Sequence, residues 1–231
     1  MICLAMVLAG CSEDGARPSP TAAATTPTPT PVPTYTVEQA EGALIDMKDL
    51  GSNWAKSDLP ITSFKEGKLR GCSNSKISLP GNPKTSTEIF GEPKYRTRGA
   101  NYSHFIAVYP DATQATRAMD IARSSLAKCP ASKKIPLERL PKKKFTYQHD
   151  DAWKLTEDEI AGWRHLRGFE KSVYPPAISN INVFYFSIDY AQRGNLIFSS
   201  IYWKRVTPKD SGEPIAEKAT ELLMDQLKRF G

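Results

Sequence analysis

Two hydrophobic periods take turns along the chain. Val37, Ala40, Leu44 and Met47 recur at steps of three and four, the stripe of an amphipathic helix. Thr36 and Gln39 stand at capping-box spacing ahead of it, and Gly51 suits a left-handed closing residue. The spacing predicts a helix over 36–50, then a loop holding Trp54 and Pro60. Residues 61–83 are rich in Gly, Pro, Ser and Lys and predict one short strand within loop. Segments 88–98 and 100–109 carry Tyr, Phe, Ile and Val and read as extended, turning near Gly99. Helical spacing returns with Ala115, Met119, Ala122 and Leu126, started by Asp111 with Gln114 three residues on.

Pro130, Pro136 and Pro141 mark a long connection. Strands are predicted over 144–148, 152–156 and 163–173. The clearest pair is 180–191 with 196–206, both dense in Phe, Tyr, Ile and Trp. Gln192-Arg193-Gly194-Asn195 lies between them, with a glycine for the positive φ of a tight turn. Ile215, Ala219, Leu222, Leu223 and Phe230 make a last helical stripe. Strands that come in hairpins predict an antiparallel sheet, here with about three helices packed on one face. The fold class is therefore α+β.

The first 34 residues follow a different rule. Residues 1–10 form a short apolar segment ending in small residues, as a secretory signal does. Leu8-Ala9-Gly10-Cys11 resembles the lipobox of bacterial lipoproteins at all four positions, although no Lys or Arg precedes the apolar stretch. The resemblance implies transfer of a diacylglyceryl group to the Cys11 sulfur and cleavage before it. Two acyl chains are what stable anchoring requires. Residues 11–34 have prolines at 18, 20, 27, 29, 31 and 33 and no large aliphatic residue except Val32. Such a segment buries nothing and favours extended polyproline conformations, so it is expected to be a disordered stalk. At about 3.1 Å per residue it would reach roughly 70 Å. Residues 35–231 are left as the folded domain.

Composition narrows the class. The chain is 40% hydrophobic and 24% charged, as a globular domain is, and no run of eighteen apolar residues occurs. The net charge of +6 is mild. Lys133-Lys134 and Lys142-Lys143-Lys144 are read as solvated loop charge, with contact to anionic headgroups as the alternative; nucleic acid is not an expected partner. With Cys3 in the signal and Cys11 lipidated, Cys72 and Cys129 remain. An even pair in an extracytoplasmic domain predicts a disulfide, and Cys129 falls seven residues after core-facing Ala122.

The order of these parts resembles the bacterial sensor-domain lipoproteins related to the extracellular sensor domain of the mycobacterial kinase PknH. The matching features are the lipobox and Thr/Pro stalk, and a first helix ending at Gly51-Ser52-Asn53-Trp54. After these come Cys72, the strand ending Val108-Tyr109-Pro110-Asp111, the Ala-rich helix closing at Cys129, and the Arg193-Gly194-Asn195 hairpin. The resemblance implies an α+β sheet with a cleft and a role in binding an extracytoplasmic ligand. The chain departs from the kinase sensor in lacking a kinase domain and spanning helix, and in having one cysteine pair where that sensor has two.

Motif chemistry is sparse. HExxH, GxSxG, P-loop and GxGxxG patterns do not occur. His149-Asp150-Asp151 reads as a polar turn between strands, with a metal half-site or acid/base cluster as the alternative. Glu157-Asp158-Glu159 reads as solvated loop, with weak Ca²⁺ binding as the alternative. His104 reads as a core or sheet-face residue, and His165 is uninformative. Trp153, Trp163, Trp203, Tyr185 and Tyr202 lie on predicted strands. Phe184, Phe186 and Tyr190 share one face of the last hairpin and Tyr185 the other; one face must pack the helices, and the other, if partly open, would line a hydrophobic cleft, with ordinary core packing as the alternative. The expected function is a non-enzymatic, cofactor-free binding or sensor module, lipid-anchored outside the cytoplasmic membrane. Its ligand would be a small molecule, lipid or wall fragment. The alternative is an interaction protein docking on another envelope protein.

Overall fold

The computed structural model describes residues 32–57, 61–93, 98–140 and 144–231. Residues 1–31, which include the expected signal segment, Cys11 and most of the expected stalk, lie outside the described residues. Chain order is α1 (Val37–Gly42), α2 (Met47–Leu50), β1 (Ala55–Lys56), α3 (Thr62–Lys65), β2 (Lys68–Arg70), a 3₁₀ turn (Cys72–Asn74) and β3 (Lys76–Ser78). There follow β4 (Lys84–Gly91), β5 (Ala100–Val108), α4 (Ala112–Leu126), β6 (Ser132–Ile135), β7 (Glu138–Leu140) and β8 (Lys144–Thr146). The chain ends with β9 (His149–Ile160), β10 (Trp163–Val173), β11 (Val183–Arg193), β12 (Leu196–Val206) and α5 (Glu213–Arg229).

Eight strands form one antiparallel sheet in the order β1-β4-β5-β12-β11-β10-β9-β6. The expected α+β class and antiparallel sheet are present. The β11–β12 hairpin closes through Gly194-Asn195, where Gly194 has φ of +55°. A side chain there would also meet the carbonyl of Pro33. Asn195 fixes the same point from the other side: its Oδ1 accepts the Tyr35 amide at 2.7 Å, and its Nδ2 donates to the carbonyls of Tyr35 and Tyr109. The chain therefore enters the domain clamped against this turn.

Helices cover both faces, where one face was expected. On β12 the odd positions Ile197 and Ile201 pack under α4 with Phe105, Met119 and Leu126. The even positions Leu196, Phe198 and Tyr202 pack under α5 and α1 with Ala40, Leu223 and Leu222. The reason lies in the central strands: β5 is buried along its whole length, so both of its faces need cover, although it carries Asn101, Ser103 and His104 among its apolar residues. The stripe predicted for α5 is the buried one, with Gln226 and Leu227 added.

The first helix is not continuous. Thr36 and Gln39 form the predicted capping box, but α1 ends at Gly42 and Asp46 starts α2 with a second capping box to Asp49. Between them Ile45 is buried and its amide donates to Gln226 Oε1 at 2.8 Å. The break exchanges helix hydrogen bonds for a core residue and a new cap, and Met47, expected in the stripe, is exposed. Residues 61–83 form a short helix and a β2–β3 hairpin rather than one strand. Lys133 and Lys134 sit on edge strand β6 rather than in a loop, a placement that discourages strand addition. Lys142 and Lys143 lie outside the described residues.

Candidate functional site

Cys72 and Cys129 are joined in a disulfide, as the cysteine count predicts. The bridge pins the turn after β2 to the end of α4. Closing a loop of 57 residues contributes about 4 kcal/mol on the chain-entropy account. The pinned turn is held a second time, by charge. Arg70 Nη2 donates to Glu170 Oε1 at 2.9 Å and the Ser73 amide donates to Glu170 Oε2 at 2.7 Å. Ser73 Oγ and Ser172 Oγ each donate to Asp151 at 2.6 Å. The Tyr190 hydroxyl donates to the Arg70 carbonyl. Arg70, Glu170 and Asp151 are at most 5% exposed. Each carboxylate oxygen has a donor, which is the condition for tolerating buried charge. Ser73 and Asn74 have φ of +48° and +60°, a left-handed pair without glycine that these bonds hold in place.

His149-Asp150-Asp151 is therefore no turn. It opens β9, so His149 and Asp151 share one side and Asp150 takes the other. His149 Nε2 lies 3.3 Å from Asp151 Oδ1. Glu157-Asp158-Glu159 is exposed as expected, but within β9. Glu157 pairs with Arg123 and Asp158 lies against His165. Among the described residues no group of three His, Cys, Asp or Glu is arranged to hold a metal ion. His104 is buried on the sheet face, its pKa lowered to about 4 by burial. His165 bridges Asp158 at 2.6 Å and Asp189 at 3.0 Å beneath α5.

The aromatics predicted on strands divide by face. Trp163, Tyr185 and Tyr202 pack under α5, and Trp153 lies in the α4-side core. Trp153 crosses β10 at Gly168, where any side chain would collide with the indole. Phe184, Phe186 and Trp203 remain half-buried on the α4 side, with centroids 5.6–6.2 Å apart. Tyr174 extends the row, 5.2 Å from Phe184 and stacked on His149 at 4.4 Å. The Arg70 guanidinium lies 4.0 Å from the Phe186 centroid and that of Arg205 lies 5.1 Å from Phe184.

Two clefts open along this row. One, of about 360 Å³, is lined by Ile61, Thr62, Ser63, Arg70, Asn74, Phe186 and Trp203. The other, of about 700 Å³, lies at the far end beside Tyr174, His149, Ile135 and Pro175. Both volumes suit a small organic ligand. Of the hairpin aromatics, Phe186 lines a cleft, Phe184 stacks beside it, and Tyr190 on the same face is buried. Arg70, Ser73 and Glu170 were missed, because Arg70 and Glu170 meet across a hundred residues with no local spacing to announce them.

No family model matches the sequence and no curated protein matches it. Among solved structures, the chain is similar in fold to the extracellular domain of PknH from Mycobacterium tuberculosis. The TM-score is 0.53 at 8% identity, over 86% of this chain and 100% of that one. The resemblance seen in the order of motifs thus holds at the level of fold. A Pseudomonas aeruginosa protein of unknown function, described as a putative regulator, aligns over 74% of this chain and 95% of its own. Its TM-score is 0.31 at 13% identity.

Proposed function

We propose that this protein is a non-enzymatic binding module that samples a small ligand outside the cytoplasmic membrane. In this reading residues 1–10 are a signal peptide, Cys11 carries a diacylglyceryl anchor and residues 11–34 are the stalk. The observation that carries the binding role is the half-exposed row Tyr174, Phe184, Phe186 and Trp203, beside open clefts and under a turn pinned twice. Aromatic rings at a surface offer apolar area at little entropic cost, and a fixed roof preorganises the site. The disulfide agrees with an oxidising compartment. No described helix is long and apolar enough to cross a membrane, so attachment in this reading falls to the lipid.

The stalk meets the domain beside Gly194-Asn195, whereas Phe184 and Trp203 lie toward the other end of the same hairpin. Ten residue steps of about 3.3 Å separate the two ends of β11, roughly 33 Å. The fold shared with a kinase's extracellular domain is compatible with sensing, the signal passing to a separate partner.

Native mass spectrometry of the protein purified from its own envelope tests the reading. A discrete extra mass that survives purification and is lost in Trp203→Ala supports it. A clean apo mass at every preparation sinks it in favour of docking on another envelope protein. Anchoring is tested separately with Cys11→Ala, which should abolish uptake of a labelled acyl chain and release the protein from membranes.

A further inference from the structure

Two arginines stack on neighbouring rings of the same row, and they differ in one respect. Arg70 lies over Phe186 and gives Nη2 to Glu170. Arg205 lies over Phe184, and its Nε donates to the Ile181 carbonyl. No Asp or Glu meets Arg205 among the described residues, whereas Arg164 and Arg167, on the same sheet, each meet an aspartate. Arg205 is half-buried, so its stem is not free to swing into water. The ring contact and the Nε bond orient the guanidinium, leaving the terminal nitrogens without a partner among the described residues. That fork matches a carboxylate or phosphate with two parallel hydrogen bonds.

Arg205 follows Trp203 by two residues on β12 and therefore stands on the same side. It lies over Phe184, the ring next to Phe186 and Trp203, which line the 360 Å³ cleft. The nearby acids do not neutralise it. Both oxygens of Glu170 are taken by Arg70 and Ser73, and both of Asp151 by Ser73 and Ser172.

We infer that the cleft takes an organic anion, its apolar or aromatic body against Phe186 and Trp203 and its carboxylate or phosphate on Arg205. This rests on the ligand-binding reading above and names the class of ligand. The test is titration calorimetry on the full chain carrying Cys11→Ser, with 2-naphthoate and its neutral counterpart 2-naphthalenemethanol as probes. Naphthoate should bind about tenfold tighter or better, the worth of a charge-assisted pair. Arg205→Gln should bring naphthoate down to the alcohol's affinity and leave the alcohol unchanged, and Arg205→Lys should restore part of the preference.

Displacement of naphthoate by phosphatidylglycerol vesicles and not by phosphatidylcholine would assign the anion to a lipid headgroup. Displacement by inorganic phosphate alone would assign it to a free anion; both support the site. Equal binding of the two probes, or a preference that survives Arg205→Gln, overturns the anion inference and leaves ligand binding standing. Binding of neither probe also overturns it, while the retained-mass experiment decides the broader reading independently.

Discussion

The two faces of the sheet each bury a charged network, and they roof it differently. Under α5, Asp189 accepts from Arg167 Nε at 2.6 Å, and Arg167 Nη1 donates to Thr220 on the helix. His165 joins the same aspartate. Most of the roof is one seventeen-residue helix that buries Ile215, Ala219, Leu222, Leu223 and Leu227, with Ala40 of α1 and Ile45 beside it. On the other face α4 covers only part of the sheet. The rest of that roof is α3, the β2–β3 hairpin and the turn pinned by Cys72. Short elements cannot bury enough apolar area to hold themselves, so this roof relies on a covalent bond and on ion pairs. The smaller cleft opens beside these pieces, against Thr62, Ser63, Arg70 and Asn74. A long helix closes over a core, whereas a patched roof leaves an opening beside it.

The strongest way to break this contrast is to unpair the charges under the patched roof. Glu170→Ala leaves Arg70 buried without its carboxylate, and should cost about 3–5 kcal/mol in urea unfolding. A cost below about 1 kcal/mol would mean that the turn is held by packing alone. Replacing both cysteines, Cys72→Ser with Cys129→Ser, comes next, at roughly 2–4 kcal/mol. Amide exchange should then accelerate over residues 70–76 well before it does in α5. Equal acceleration in the two regions would erase the distinction.

Which parts of this were legible in the sequence follows from the same contrast. The α5 stripe and the β11–β12 hairpin were read correctly because each is a local pattern that a single long element enforces. The disulfide followed from cysteine arithmetic. The patched roof was not legible. Its hairpin is only three residues per strand, and its charges pair between residues 70 and 170. β9 was read as a shorter strand flanked by loops, because an outer strand with exposed Lys154, Glu157 and Asp158 lacks the apolar alternation of an inner one. α1 and α2 were merged because the stripe through Met47 ignored Asp46, whose cap competes with helix continuation.

The sealed face should also answer to acid. His104 lies there with no hydrogen-bond partner for either ring nitrogen among the described residues, its Nε2 3.9 Å from Glu88, and with its pKa lowered to about 4 by burial. The unfolded chain binds that proton near pH 6.5, so stability rises with pH between about 4 and 6.5 and is lost as pH falls through that window. From pH 7 to pH 5 the loss attributable to this residue is about 2 kcal/mol. It should be absent from His104→Leu and so appear as the difference between the two proteins' pH profiles. Identical pH profiles for the two proteins would show that the face admits water or a counter-charge on protonation.

The smallest expected effects separate the faces best, because they are matched. Thr220→Val removes the acceptor of Arg167 Nη1 and the donor to the Ala216 carbonyl, and Ser73→Ala removes the donor to Asp151 Oδ2. Each breaks hydrogen bonds at the edge of a buried charge, at a cost of about 1–2 kcal/mol. Under α5 that loss should stay global: the whole domain is slightly easier to unfold, and exchange near the clefts and naphthoate affinity do not change. Under the patched roof it should be local. Ser73 and Asn74 hold left-handed conformations that only their contacts maintain, so releasing Ser73 lets the turn relax without unfolding the sheet. Exchange at residues 70–76 should rise, and naphthoate should bind more weakly at nearly the same melting temperature. If Thr220→Val weakened naphthoate binding as much as Ser73→Ala does, the two roofs would be coupled through the sheet and the division of labour between them would fail.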